Sequence, residues 1–223
     1  MGTDAPGRLG VGGYVLAGGR SSRMGRDKAL LELGGKPLVA RAVEKLQRVC
    51  ADVRVVSGND ALADYAPLVG DVHPGCGPIG GIEAALLQSS YEWNLFLAVD
   101  MPFVPAIFIY SWVEQMMGED DGARICMFTA DGRAQPGLCM VHKEVAPFLS
   151  DAIGRGEFAL MPALEAAGRG SSATVGLWNR PAMEWSVDGV SERQLAARHL
   201  WFANLNTPEE FAEAERWVEA LDA

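Results

Sequence analysis

The sequence predicts an α/β fold built on one mostly parallel sheet. Three observations point there. Short apolar runs alternate with amphipathic stretches along the chain, the pattern of successive βαβ units. The 223 residues suffice for one sizeable core and are too few for two comfortable domains. Glycine, asparagine and aspartate gather where the apolar runs stop, and an open parallel sheet binds ligands outside the carboxyl ends of its strands.

The elements follow in order. Residues 1–10 are polar and rich in Gly and Pro, and read as a flexible tail before a single domain over 11–223. Residues 13–17 (GYVLA) form a first buried strand. Residues 37–49 form a helix with Leu38, Ala42, Leu46 and Val49 on one face and Pro37 in its first turn. Residues 53–56 (VRVV) are a second strand, 60–66 a short helix stopped by Pro67, and Leu68 and Val69 begin a third strand. Gly77 and Pro78 introduce a helix running through 82–88. Residues 94–99 (NLFLAV) are apolar enough for a central strand. A helix over 105–117 follows, then strands over 125–129 and 138–141 and helices over 143–153, 160–167 and 208–221. The strand ends nominate one ligand crevice.

Composition narrows the function classes. The formal net charge of -10 disfavours nonspecific partners such as nucleic acid or anionic membrane. No apolar run reaches the ~18 residues of a membrane span, and a cytoplasmic location is expected. Cys50, Cys76, Cys126 and Cys139 form no C-x-x-C pair and share no ligand spacing with His73, His142 or His199. Buried, reduced thiols are expected rather than a zinc site.

Residues 16–28 (LAGGRSSRMGRDK) are the chemical centre of the sequence. Gly18 and Gly19 let the backbone turn after a strand and approach a ligand, and successive amides there can cradle an anion. Arg20, Arg23 and Arg26 add fixed charges, and Lys28 adds a flexible ammonium. The spacing matches neither G-x-x-x-x-G-K-[ST] nor G-x-G-x-x-G. A solvated basic loop is the plainer alternative. Asp100 closes the strand at 94–99, where an unpaired buried carboxylate is unfavourable. A metal ion would supply a partner, and Mg²⁺ favours one or two carboxylates together with substrate phosphates. Capping of the next helix is the competing role.

At residues 16–28 the chain resembles the nucleotidyltransferases related to the molybdenum cofactor guanylyltransferases, the MobA family. Their pattern is roughly L-A-G-G-x-S-x-R-M-G-x-D-K, met here by Leu16, Ala17, Gly18, Gly19, Ser21, Arg23, Met24, Gly25, Asp27 and Lys28. The resemblance spans most of the chain and weakens after about residue 150. It implies a single-domain, three-layer α/β/α Rossmann-like nucleotidyltransferase fold, with a nucleotide-binding part over about 11–104 and an acceptor side over about 105–223. It implies transfer of GMP from GTP to molybdopterin, or to its molybdenum-loaded form, with release of pyrophosphate.

The resemblance also assigns residues. Asp100 lies in a V-D-x-P motif that holds Mg²⁺, the expected cofactor. Lys28 and Arg23 would neutralise charge on the triphosphate. Asp71 would contact the nucleotide near its ribose, with an ordinary loop aspartate as the alternative. Gly77 and Gly81 belong to a P-G-x-G-P-[LI]-x-G segment, where either ligand approach or tight helix packing explains the glycines. Asn59 corresponds to an asparagine near guanine or ribose, or else forms an Asx turn. Asn204 and Asn206 sit in a segment like N-x-N-T-P-E that faces the second substrate, while Thr207, Pro208 and Glu210 fit a capping box. One departure concerns the acceptor. A basic pair usually follows Gly-Glu, whereas Phe158 and Ala159 follow Gly156 and Glu157 here; Arg155 or Arg169 could substitute. A transferase using CTP or another acceptor therefore stays open. So does a non-catalytic nucleotide-binding adapter docking to molybdoenzyme maturation proteins.

Overall fold

The computed structural model describes residues 7–18, 27–70, 73, 75–118, 122–130, 132–170, 175–181 and 187–222. Its strands are β1 (Leu9–Leu16), β2 (Glu32–Leu33), β3 (Lys36–Pro37), β4 (Cys50–Val56), β5 (Leu68–Val69), β6 (Trp93–Ala98), β7 (Ile125–Ala130), β8 (Arg133–His142) and β9 (Val175–Pro181). Its helices are α1 (Leu38–Gln47), α2 (Pro78–Gln88), α3 (Ala106–Gly118), α4 (Ala146–Gly154), α5 (Leu160–Gly170), α6 (Glu192–Ala196) and α7 (Pro208–Glu215).

Seven strands make the main sheet, in the order β5-β4-β1-β6-β8-β7-β9. Every neighbouring pair in it is parallel except those of β8, which runs against both β6 and β7. Alternation along the central strands decides what lies on each face. Val11 and Val15 of β1, with Leu95 and Leu97 of β6, face a core built with Leu38, Val39 and Leu46 of α1 and Phe108 and Trp112 of α3. Tyr14 of β1 and Phe96 of β6 face the opposite core, built with Ile79 and Ile82 of α2, Leu149 of α4 and Leu164 of α5. The expected three-layer α/β/α sandwich is thus present. Among the described residues, no helix is long and apolar enough to cross a membrane.

Several boundaries differ from the sequence reading, each for a local reason. The first strand starts at Leu9, inside the stretch read as tail, because Leu9 N–H bonds the Val49 carbonyl at 2.8 Å. Pro37 does not sit inside α1; it ends β3 and occupies the N-cap position. The β2–β3 hairpin was not anticipated. Its two strands are too short to show a period, and its turn is made by Gly34 and Gly35, both left-handed with φ of 57° and 71°. Strand β8 begins at Arg133 rather than 138, through a polar stretch that carries no apolar signal. Strand β9 at the sheet edge and the short α6 also escaped notice. The final helix stops at Glu215 and resumes as a 3-10 turn over Val218–Ala220.

Candidate active site

The carboxyl ends of β1, β4 and β6 are locked together by backbone bonds. Ala17 N–H donates to the Val56 carbonyl at 3.1 Å, and Val99 N–H donates to the Leu16 carbonyl at 3.1 Å. Leu16, Ala17 and Gly18 therefore leave the sheet between its two parallel neighbours, as a phosphate-approaching turn requires.

The chain returns to this edge at Asp27. Its carboxylate accepts from Ala29 N–H at 3.0 Å and so starts the 3-10 turn Lys28–Leu30. That turn aims the Lys28 ammonium at the end of β6. Lys28 Nζ lies 2.6 Å from Asp100 Oδ2 and donates to Asn206 Oδ1 at 2.8 Å. The side chains of Lys28 and Asp100 are only 15% and 19% exposed, so water screens their attraction incompletely. The third segment is fixed through its backbone: Leu205 N–H donates to the Asp100 carbonyl at 3.1 Å. Thr207 and Glu210 then cap α7 reciprocally, with Pro208 in its first turn. This capping also orients Asn206, whose N–H meets Glu210 Oε2 and whose amide nitrogen donates to the Asn204 carbonyl at 3.3 Å.

Three remote stretches of sequence thus place an ammonium, a carboxylate and an amide at one point on the sheet edge. Lys28, Asp100 and Asn206 were all expected in the site, and Lys28 touches the other two. Asn204 joins through its carbonyl.

Other candidates fall differently. Asn59 Oδ1 caps the 3-10 turn Asp60–Asp64 by accepting from Ala61 N–H at 3.1 Å, and Asn59 Nδ2 donates to Asp27 Oδ2 at 2.5 Å. Of the two readings left open for Asn59, the geometry supplies the local turn. Asp27, which the sequence reading passed over as a site residue, is thereby the joint between the signature segment and the end of β4. A signal for it existed, an aspartate one residue before the essential-looking lysine, but its partner was 32 residues away. Gly77 is the N-cap of α2 at φ 69°, a conformation an L side chain rarely adopts, and no side chain caps that end. Gly80 and Gly81 are buried, and a Cβ at Gly80 would stand 3.2 Å from the His73 carbonyl, so close packing accounts for at least that glycine. Arg155 forms two bonds to Glu157, at 2.9 and 3.0 Å, on an exposed turn. No described contact brings it to Lys28, Asp100 or Asn206. Gly19, Arg20, Arg23, Arg26 and Asp71 lie outside the described residues.

The donor set can be tested against Mg²⁺. Among the described residues, no three His, Cys, Asp or Glu side chains gather as a ready-made metal cage. Mg²⁺ does not require one; it is held by one or two carboxylates together with substrate phosphates and water. Asp100 offers such a carboxylate beside a cation that can share those phosphates, so the residues fit the ion.

A mostly parallel sheet with an ammonium and a carboxylate meeting at its strand ends, beside the point where the chain leaves β1 at Gly18, defines a nucleotide-handling α/β enzyme. Comparison with known proteins makes the class specific. The family model described as a MobA-like NTP transferase domain matches residues 13–169. The chain belongs to that family and is a nucleotidyltransferase. It is 32% identical over 224 residues to a molybdenum cofactor guanylyltransferase of Rhizobium johnstonii, covering 96% of this chain and 95% of the relative. It is 34% identical over 165 residues to a protein of the same name from Serratia proteamaculans, covering 71% and 81%. Among solved structures, it resembles molybdopterin-guanine dinucleotide biosynthesis protein A from Archaeoglobus fulgidus, with a TM-score of 0.72, 25% identity, and coverage of 95% and 100%.

Proposed function

We propose that the chain transfers GMP from GTP to molybdopterin, or to its molybdenum-loaded form, and releases pyrophosphate. The observation that carries the reading is the meeting of Lys28, Asp100 and Asn206 at the strand ends, beside the exit of β1 at Leu16, Ala17 and Gly18. The names of the relatives in Rhizobium and Serratia support guanylate as the group transferred.

A terminal phosphate oxygen of the acceptor attacks the α-phosphorus in line. The new P–O bond forms as the bond to the bridging αβ oxygen breaks, and the electron pair of the broken bond leaves with pyrophosphate, which gains the one negative charge that the attacking oxygen gives up. No protein nucleophile is consumed. The work left to the protein is positioning and charge stabilisation. The Lys28 ammonium neutralises charge developing on the leaving pyrophosphate, and Arg23 is assigned the same task. Amides of Gly18 and Gly19 cradle the β and γ groups. Asn206 holds the Lys28 side chain at its station and faces the acceptor. Asp100 is the residue that would hold Mg²⁺, which when bound neutralises phosphate oxygens. Asp71 is assigned to the nucleotide. Cys50, Cys76, Cys126 and Cys139 are buried and not joined in disulfides, which agrees with a reducing compartment, and we take the cytoplasm as the site of action.

The test is pyrophosphate release by the full chain on mixing GTP, Mg²⁺ and molybdopterin, repeated with CTP, ATP and UTP. Release with GTP alone is expected. Release with CTP in its place would reassign the base. No release with any of them, while GTP still raises the melting temperature, would favour a nucleotide-binding adapter.

A further inference from the structure

The turn from Asp100 into α3 poses a hydrogen-bonding problem. Residues 101–106 are all buried. Pro102 and Pro105 interrupt the run, and neither has an N–H to join a regular ladder. Buried carbonyls there still need donors.

Lys45 of α1 supplies them. It is 2% exposed, and burial pushes its ammonium below the ordinary lysine range while Asp222 opposes that shift. Its Nζ donates to the Pro102 carbonyl at 2.7 Å and to the Val104 carbonyl, and lies 3.2 Å from Asp222 Oδ2. All three ammonium protons therefore have an acceptor. Asp222 is itself held, accepting from Ala106 N–H at 3.1 and 3.2 Å and from Gln194 Nε2 at 3.1 Å. One charge pair, a buried lysine and a half-buried aspartate, thus ties α1, the turn, the first turn of α3 and the C-terminal segment together.

The position of this clamp gives it a second consequence. The Asp100 peptide is fixed upstream by Met101 N–H on the Ala98 carbonyl at 3.2 Å, and sideways by Leu205 N–H on its own carbonyl. Downstream, Lys45 grips the backbone two residues along, at the Pro102 carbonyl. We propose that Lys45, braced by Asp222, is a positioning residue for the transfer reaction: it sets the aim of the Asp100 carboxylate from beneath the turn, without touching substrate. This rests on the reading that Asp100 acts in nucleotidyl transfer.

The experiment compares full-length wild type, Lys45→Met and Asp222→Asn, each also in an Asp100→Asn background. Pyrophosphate release gives kcat and the KM for GTP, and hydrogen exchange reads the Leu205 amide. In folded Lys45→Met, kcat falls roughly tenfold or more while KM changes less than about threefold, and the Leu205 amide exchanges faster. The same substitution has little further effect in the Asp100→Asn background, because coupled residues are not additive. A wild-type kcat in folded Lys45→Met, or an equal fall in both backgrounds, overturns the proposal. Should Lys45→Met not fold, Asp222→Asn decides: a several-fold loss of kcat supports the clamp, and unchanged kcat refutes it. If wild type itself releases no pyrophosphate, the functional reading fails. The exchange data then decide the clamp alone, which is refuted by unchanged protection at Leu205.

Discussion

Two lysine–aspartate pairs lie on either side of the same turn. Lys28–Asp100 stands at the mouth of the strand ends, 2.6 Å apart and partly open to solvent. Lys45–Asp222 lies beneath the turn, 3.2 Å apart, with the lysine sealed from water. The chemistry of the groups is the same, and the surroundings divide their tasks. The outer lysine has one carboxylate and one amide oxygen for company, and it can exchange them for phosphate oxygens. The inner lysine is surrounded by backbone carbonyls and has nowhere else to turn. The two pairs differ chiefly in the lysine, 15% exposed in the outer one and 2% in the inner one: a partly screened pair contributes modestly to stability, whereas removing a partner from a lysine sealed from water is strongly destabilising.

That contrast can be broken in several ways. The largest effect is expected at Asp100. Asp100→Ala removes the carboxylate assigned to Mg²⁺ and should lower turnover by about a thousandfold or more, while a thermal melt shows the fold intact. Lys45→Met should give the reverse emphasis, with stability to denaturant falling by about 3 kcal/mol as Asp222 and two carbonyls lose their partner. Asn206→Ala sharpens the outer pair. It removes one of the two anchors on Lys28 and should cost about tenfold in kcat, equivalent to about 1.4 kcal/mol of barrier, read by pyrophosphate release. Thr207→Ala should cost about 1 kcal/mol of stability through the lost cap, measured by urea unfolding. Arg155→Ala should be nearest to silent, with the KM for the acceptor moving less than about twofold, because Glu157 already holds its guanidinium on an open turn. A tenfold rise would restore Arg155 to the acceptor site.

How much of this was legible in sequence depended on range. The parallel half was readable because each strand is a short apolar run and each ends in residues of unusual chemistry, as at Gly18 and Asp100. Lys28, Asp100 and Asn206 could be nominated separately, since the signature segment, a strand end and a segment resembling N-x-N-T-P-E announce them. Their contact could not be read, because they are 72 and 178 residues apart. Asp27 was missed for the same reason: its aspartate is visible, but its bond to Asn59 exists only once β1 and β4 are neighbours. Lys45 left no signal at all. On a helical wheel it is one more charged residue, and only the fold carries the prolines of the turn over it. The β2–β3 hairpin and β9 were lost to brevity and to edge position, where packing does not enforce alternation.

The central claim is that the outer lysine serves the reaction and not the fold. The direct test is Lys28→Met, which keeps the apolar stem and deletes the charge. At saturating GTP, Mg²⁺ and molybdopterin, the rate of pyrophosphate release should fall by about a hundredfold to a thousandfold, with the melting midpoint within about 2 °C of wild type. A rate within about threefold of wild type would contradict the account.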